Sequence, residues 1–141
     1  MERYNLVVLG AGSGGLTVAG GAAIVGARVA LLEKHRMGGD CLNYGCVPSK
    51  AFLHAAKVAH TLGTAATYGV RAGATPRKQD LKPVMDYVRA ARARVAPHDS
   101  VERFTRLGVD VHLTAGRLEC EARHSAVMAG LVGRAKRDSA D

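Results

Sequence analysis

Two cysteines lie close together in the segment GGDCLNYGCVPSK, which covers residues 38–50. Four residues separate Cys41 from Cys46, and Lys50 follows four positions after the second cysteine. Thiols arranged in this way can form a structural disulfide, supply two ligands of a metal ion, or act as a redox pair that opens and closes a disulfide. The rest of the chain has to distinguish between these three chemistries.

The spacing of the two cysteines disfavours a relaxed disulfide. Residues five positions apart in an ideal helix are rotated by roughly 500°, so they lie on different faces with Cα atoms too far apart for an unstrained bond. A bond between Cys41 and Cys46 therefore requires a distorted turn, for which Gly38, Gly39 and Gly45 provide backbone freedom. Such a bond is easier to reduce than a structural one.

A structural bridge and a metal site stay open as alternatives. A bridge across so short a loop gains little stability, and three cysteines in a chain without a secretory leader favour a reducing compartment. A metal site needs two more ligands, and no second cysteine or histidine pair with finger-like spacing accompanies the thiols. We favour the redox pair, expect no metal, and assign no role to the third thiol, Cys120.

A glycine-rich turn near the amino terminus predicts a bound dinucleotide, which would supply electrons to the thiols. Gly10, Gly12 and Gly15 form the pattern G-x-G-x-x-G between an apolar run and a helix. In this pattern the first glycine permits a tight turn, the second lets a pyrophosphate approach the backbone, and the third allows close helix–strand packing. Glu33 follows at the end of the next strand, where it can accept hydrogen bonds from an unphosphorylated ribose, as in FAD or NAD.

Hydrophobic periodicity predicts a Rossmann-like α/β fold with a parallel sheet. Strands are expected over 5–9, 28–33 and 109–113, and helices over 13–25, from Pro48–Ser49 onwards, from an N-cap at Asp80, and over 98–108. Gly26 is expected to end the first helix in a left-handed conformation, and Pro97 to break the helix that follows Asp80. After Gly116 the pattern weakens to a short strand and a helix over 125–133.

Length and composition exclude several classes of protein. The 141 residues suffice for about one domain with its own core. The net charge of +8 is spread along the chain, and only 4% of the residues are aromatic, so a nucleic-acid-binding domain is a weaker alternative. The opening apolar run is too short for a signal peptide or a membrane span. We therefore expect a soluble cytoplasmic protein without a nucleic-acid or membrane partner.

The segments LGAGSGG, LLEK and GGDCLNYGCVPSK together resemble the flavin-dependent pyridine nucleotide–disulfide oxidoreductases. The region APHDSVERFTRLGVDVHL is similar to the same family. The form of the cysteine segment resembles the family's mercuric-reductase-like branch more than its dihydrolipoamide-dehydrogenase-like and glutathione-reductase-like branches. The resemblance implies that the glycine pattern binds FAD rather than NAD. It also implies a small-molecule or disulfide substrate and a homodimer.

The resemblance implies a role for each matching residue. Cys46 would be the thiolate that stacks against the flavin and forms a charge-transfer complex with it, and Cys41 would be the interchange thiol that meets the substrate. Lys50 would lie near the flavin ring. Asp40 occupies a cofactor-binding position at which the family has threonine, and Gly116 falls where the family's backbone touches the adenine.

The resemblance covers only part of the family's pattern. Residues 1–118 match a partial FAD-binding domain with its redox-disulfide segment, whereas residues 119–141 depart from it. These 141 residues contain no second G-x-G-x-x-G for NAD(P)H, and we expect the family's interface domain to be missing. We therefore expect an incomplete fold, truncated or frame-disrupted, that is inactive alone. The alternative from another class is a dinucleotide-binding module without turnover.

Overall fold

The predicted strands and helices occur in the predicted order, with one additional short helix after the second strand. The computed structural model describes residues 3–71, 73 and 80–116. The strands are β1 (Leu6–Leu9), β2 (Val29–Leu32) and β3 (Val109–His112). The helices are α1 (Ser13–Ile24), α2 (Gly39–Asn43), α3 (Cys46–Thr64), α4 (Leu81–Val95) and α5 (Val101–Arg106), and short 3₁₀ turns follow α3 and α4. None of the described helices is long and apolar enough to cross a membrane.

The chain forms two compact units. Of the described residues, 3–39 and 98–116 belong to the first unit, and 40–71, 73 and 80–97 belong to the second. The three strands, α1 and α5 therefore belong to the first unit, and α3 and α4 belong to the second.

A parallel sheet forms the centre of the first unit. β2 lies between β1 and β3, with Leu6 opposite Val29 and Val29 opposite Val109. All four residues of β2 are buried, which explains the uninterrupted apolar run in its sequence. The parallel sheet with its helical connections confirms the predicted Rossmann-like α/β class.

The hydrophobic core of the first unit joins α1 and α5 to this sheet. Its buried members on these elements are Leu16, Ala19, Val29, Leu31, Phe104 and Val109. Gly20 brings α1 close to α5, because a Cβ at this position would lie only 3.3 Å from a ring atom of Phe104. Gly26 and Gly108 have left-handed φ angles of 86° and 89°, so the left-handed helix end predicted at Gly26 is confirmed.

The second unit is a pair of packed helices. α3 packs against α4, and Ala51 and Val88 are buried residues of these two helices. The Asp80 carboxylate accepts a hydrogen bond of 2.9 Å from the backbone N–H two residues later, which confirms the predicted N-cap. α4 ends at Val95, in agreement with the break expected at Pro97.

The helix after the thiols begins earlier than the sequence predicted. α3 starts at Cys46 rather than at Pro48, and the proline is accommodated because the first-turn N–H groups of a helix have no intrahelical acceptor. Cys41 lies in α2, which is too short for periodicity to reveal. The strand and helix expected after Gly116, and the tail over 119–141, fall outside the described residues.

Replacing Gly15 with alanine is expected to destabilise the first unit. An added Cβ would lie 1.9 Å from the carbonyl oxygen of Gly10, and backbone atoms cannot move aside cheaply. We expect Gly15→Ala to reduce the free energy of unfolding by at least about 2 kcal/mol, measured by urea unfolding followed by circular dichroism.

The adjacent Gly14 provides a matched control in the same helical turn. A Cβ at Gly14 would meet no described atom within 4 Å. Gly14→Ala should therefore leave the stability unchanged or raise it by about 0.5–1 kcal/mol, because alanine is the better helix former. Equal losses in the two variants would contradict the close contact between α1 and the turn.

Candidate functional site

The glycine-rich turn connects β1 to α1. Gly10 has a left-handed backbone with φ of 99°, and its N–H donates a hydrogen bond of 2.8 Å to the carbonyl oxygen of Leu32. Gly15 packs so closely on the Gly10 carbonyl that no larger side chain fits. The tight turn and the close packing predicted for these two glycines are therefore confirmed.

Gly12 is the N-cap of α1 and is suited to contact with an anion. Its backbone is extended, it provides no side-chain cap, and a Cβ here would meet none of the described atoms within 4 Å. The first N–H groups of a helix lack intrahelical acceptors and carry the positive end of the helix dipole. Such a position favours a phosphate group.

Glu33 holds the turn in place. Its carboxylate is buried, with Oε2 accepting a hydrogen bond of 2.6 Å from the Ala11 N–H and Oε1 accepting one of 2.7 Å from the His35 N–H. The Glu33 N–H itself donates to the carbonyl oxygen of His112 at 2.9 Å. Sequence reasoning predicted a ribose contact for Glu33 and missed this structural role. The two roles are compatible, because a carboxylate has about four lone-pair sites.

Gly39 approaches the turn from the segment that precedes the thiols. It has a left-handed φ of 54°, and a Cβ built on it would lie 2.6 Å from the Cα of Gly12. Sequence reasoning used this glycine only as a source of flexibility and missed the contact. The doublet of Gly38 and Gly39 was the available signal, since both residues adopt positive φ angles.

Gly116 lies beside the carboxyl ends of β1 and β2. A Cβ at this position would lie 2.7 Å from the Leu9 side chain and 2.9 Å from the Leu32 side chain. Ligands of open parallel sheets bind at the carboxyl ends of the strands. Gly116 therefore lies at the carboxyl ends of the strands, where a dinucleotide contact is expected. Its contact with adenine stays a prediction.

In the second unit, a short backbone turn joins the two thiols. The carbonyl oxygen of Asp40 accepts hydrogen bonds from the N–H groups of Tyr44 at 2.8 Å and Gly45 at 2.7 Å. This turn carries Cys41 on its first helical turn and leads directly into Cys46, the first residue of α3. Both cysteines are free thiols, with Cys41 half-buried and Cys46 exposed.

The two thiols interact directly. A hydrogen bond to the Cys46 side chain raises the pKa of Cys41, and burial and the charge of Cys46 act in the same direction. The backbone N–H of Cys46 and the charge of Lys50 oppose this and lower the pKa of Cys41. The larger effects favour the protonated thiol, so Cys41 keeps its proton to higher pH than an ordinary cysteine.

The predicted site residues thus form two groups. Gly10, Gly12, Gly15, Glu33 and Gly116 belong to the first unit. Asp40, Cys41, Cys46 and Lys50 belong to the second, where a carboxylate oxygen of Asp40 lies beside Gly45 and would be 3.1 Å from a Cβ there. Across residues 3–71, 73 and 80–116, no three histidine, cysteine, aspartate or glutamate side chains gather in a way that could hold a metal ion.

Replacing Cys46 with alanine is expected to make Cys41 reactive at lower pH. The hydrogen bond between the thiols is the largest cause of the raised pKa of Cys41, and the substitution removes it. In a Cys120→Ser background, the rate of iodoacetamide modification of Cys41, followed by mass spectrometry, should rise at a lower pH in Cys46→Ala than in the parent.

Lys50→Met is the control of opposite sign. The positive charge of Lys50 stabilises the Cys41 thiolate, so its removal should shift the modification profile of Cys41 to higher pH. A Cys46→Ala profile at or above the parent's would contradict the hydrogen bond between the thiols.

The chain is similar to several dihydrolipoyl dehydrogenases. It is 46% identical to the enzyme of Acholeplasma laidlawii over 69 residues, which is 49% of this chain and 20% of that protein. It is 46% identical to the enzyme of Corynebacterium glutamicum over 80 residues, or 56% and 17% of the two chains. It is 38% identical to the enzyme of Rhizobium etli over 95 residues, or 67% and 19%. The matched segment thus spans about a fifth of the length of these relatives.

A family model covers most of the sequence. The model described as pyridine nucleotide-disulphide oxidoreductase matches residues 4–134, a range that includes the glycine turn, Glu33 and both thiols of the pair. The parallel sheet and the placement of these residues agree with that match. The chain therefore belongs to the pyridine nucleotide-disulphide oxidoreductase family.

Proposed function

We propose that the chain is the FAD-binding, dithiol-bearing part of an NAD(P)H-dependent flavoprotein reductase. The observation that carries the proposal is the pair of free thiols, Cys41 and Cys46, joined by one short backbone turn in a chain of this family. We favour a dihydrolipoamide-dehydrogenase-like parent, because the relatives named above are dihydrolipoyl dehydrogenases. The mercuric-reductase-like branch suggested by GGDCLNYGCVPSK stays a prediction.

The glycine turn fits the diphosphate of FAD. Gly12 presents bare backbone at the amino end of a twelve-residue helix, and this is the environment that a pyrophosphate prefers. Gly10 and Gly15 hold the turn in shape, Glu33 has lone pairs left for ribose hydroxyls, and the backbone of Gly116 would meet the adenine. FAD bound there would supply a two-electron carrier.

The thiol pair suits a substrate that is a disulfide or the corresponding dithiol, because each step of thiol–disulfide exchange is reversible. In the direction that reduces a disulfide, the exchange takes two steps. The Cys41 thiolate attacks one sulfur of the substrate, breaks its S–S bond and releases one substrate thiol. The Cys46 thiolate then attacks the mixed disulfide, forms the bond to Cys41 and releases the second substrate thiol. The protein loses two electrons and two protons, and the substrate gains them. We assign the interchange role to Cys41 and the cofactor-facing role to Cys46.

Two charged residues would adjust this chemistry. Lys50, on the first turns of α3, stabilises the Cys41 thiolate and would favour negative charge on a bound flavin. Asp40 offers a carboxylate where the family has a hydroxyl. Its contact with the cofactor would therefore run through a water or a hydroxyl donor of the ligand rather than through a phosphate, which carries the same sign of charge.

The remaining assignments follow from the family and are proposals as well. We assign residues 1–118 to the FAD-binding part with its dithiol and residues 119–141 to a tail outside that pattern. NAD(P)H would reach the flavin through another part of the parent reductase, since a single G-x-G-x-x-G occurs in these 141 residues. We infer a cytoplasmic location, a homodimeric parent, and no turnover by this chain alone.

Gly12→Ala is expected to separate flavin binding from folding. The added methyl group meets no described atom in the protein but would occupy the space where the pyrophosphate approaches the backbone. We expect the purified, unsubstituted chain to retain FAD after gel filtration. Gly12→Ala should bind FAD at least about tenfold more weakly, with little change in the midpoint of unfolding. Gly14→Ala, which also adds a methyl group in open space, is the matched control.

If the unsubstituted chain holds no flavin under any loading condition, FAD binding by this chain is contradicted. Retention of NAD without flavin would instead support a dinucleotide-binding module without turnover. Salt-sensitive retention of DNA without flavin would favour the basic nucleic-acid-binding domain.

The assignment of Cys46 as the cofactor-facing thiol predicts an optical signature. Reduction of the FAD-loaded, unsubstituted chain without oxygen should produce a long-wavelength absorbance band, and Cys46→Ser should abolish this band. Cys41→Ser, which leaves the cofactor-facing thiol in place, should retain the band without substrate. The reverse pattern would exchange the roles of the two cysteines.

A further inference from the structure

Arg92 on α4 contacts the loop between the two cysteines. Its Nη1 donates a part-buried hydrogen bond of 2.9 Å to the Oδ1 of Asn43, a residue 49 positions away in sequence. Asn43 is the last residue of α2 and lies between Cys41 and Cys46. A charged donor on a long helix is thus attached to the segment that connects the thiols.

The backbone hydrogen bonds that close this loop are local. The Asp40 carbonyl oxygen is joined to Tyr44 and Gly45, only four and five residues away. α2 has five residues, which is far too few for a helix to be stable by itself. A contact from a different helix therefore contributes what the local bonds cannot, namely a fixed position of the loop relative to α4.

The neighbouring arginine on α4 behaves differently. Arg89 donates to Asp86 on the same helix at 2.7 Å, and both side chains are exposed, so this pair contributes little to stability. The bond from Arg92 is part-buried, so solvent weakens it less than it weakens the exposed pair of Arg89 and Asp86. Arg89 and Arg92 thus form a natural pair of test and control.

We propose that Arg92 is a positioning residue that, through Asn43, holds Cys41 and Cys46 within bonding reach and thereby sets the reduction potential of the pair. The inference rests on the proposed dithiol function. Physically, the hydrogen bond raises the effective concentration of one thiol at the other, and a disulfide forms more readily when its two sulfurs are held together.

The first test measures the equilibrium between the dithiol and the disulfide in glutathione buffers. One oxidised glutathione accepts two electrons and two protons from the thiols, its S–S bond breaks, and the Cys41–Cys46 bond forms. In a Cys120→Ser background, Arg92→Met should lower the equilibrium constant for disulfide formation about tenfold, which corresponds to a reduction potential about 30 mV less negative. Arg89→Met should leave it unchanged.

Asn43→Ala separates positioning from a direct effect of charge. This variant removes the acceptor but leaves the guanidinium in place, so it should shift the potential in the same direction as Arg92→Met. The double variant should then be no worse than the stronger single one, because both substitutions break the same bond. Additive effects, or shifts of opposite sign, would overturn the proposal, as would an unchanged potential in Arg92→Met.

Two further measurements keep the result decisive. If circular dichroism shows that Arg92→Met is unfolded, Asn43→Ala alone decides, since it leaves α4 intact. If the parent forms no disulfide, the proposed dithiol function fails, and positioning is judged by the iodoacetamide reactivity of Cys41 in the reduced protein. Loosening of the loop weakens the hydrogen bond between Cys41 and Cys46. In both variants, Cys41 should therefore react with iodoacetamide several times faster at neutral pH. Unchanged rates would overturn the proposal.

Discussion

The buried carboxylate of Glu33 is the interaction on which the candidate dinucleotide site depends. It binds two backbone N–H groups, one in the turn after β1 and one beyond β2, while the Glu33 backbone contacts the end of β3. One residue therefore connects the carboxyl ends of all three strands. A charge in so buried a position requires hydrogen-bond donors, and here the backbone itself provides them. Hydrogen bonds within the protein thus hold the turn in shape.

Positions without a side chain bring the backbone segments together around this carboxylate. Gly15 sits on the Gly10 carbonyl, Gly39 sits on Gly12, and Gly116 sits against the leucine side chains that end two strands. In each case a single methyl group would force atoms closer than van der Waals contact. These contacts explain why the sequence is rich in glycine at the turn and before the thiols, beyond any need for flexibility.

The fold was largely predictable because its signals are local. The apolar run of β2, the glycine that ends α1 and the Asp80 cap each depend on a few neighbouring residues. The start of α3 was misplaced, since Pro48 was taken as the first helical residue although a proline is also tolerated within the first turn. α2 was missed because five residues carry no periodic signal.

The residues of the candidate site were found more easily than their physical roles. Glycine spacing and the cysteine pair identify the positions, yet the bond from Ala11 to Glu33 and the contact between Gly39 and Gly12 join residues distant in sequence. The bond between Arg92 and Asn43 spans 49 positions and has no sequence signature at all, since α4 contains several arginines of similar appearance. Only tertiary structure distinguishes one arginine from the next.

The choice of arginine at position 92 also has a consequence for the direction of the bond to the loop. A guanidinium is planar and holds its N–H donors in a rigid fork, so the donor that meets Asn43 has a defined orientation. A lysine in the same place would present a compact ammonium on a flexible stem, with donors that rotate. With arginine, the attachment constrains the angle at which the loop meets α4 as well as its distance, so a lysine at this position would not be a conservative replacement.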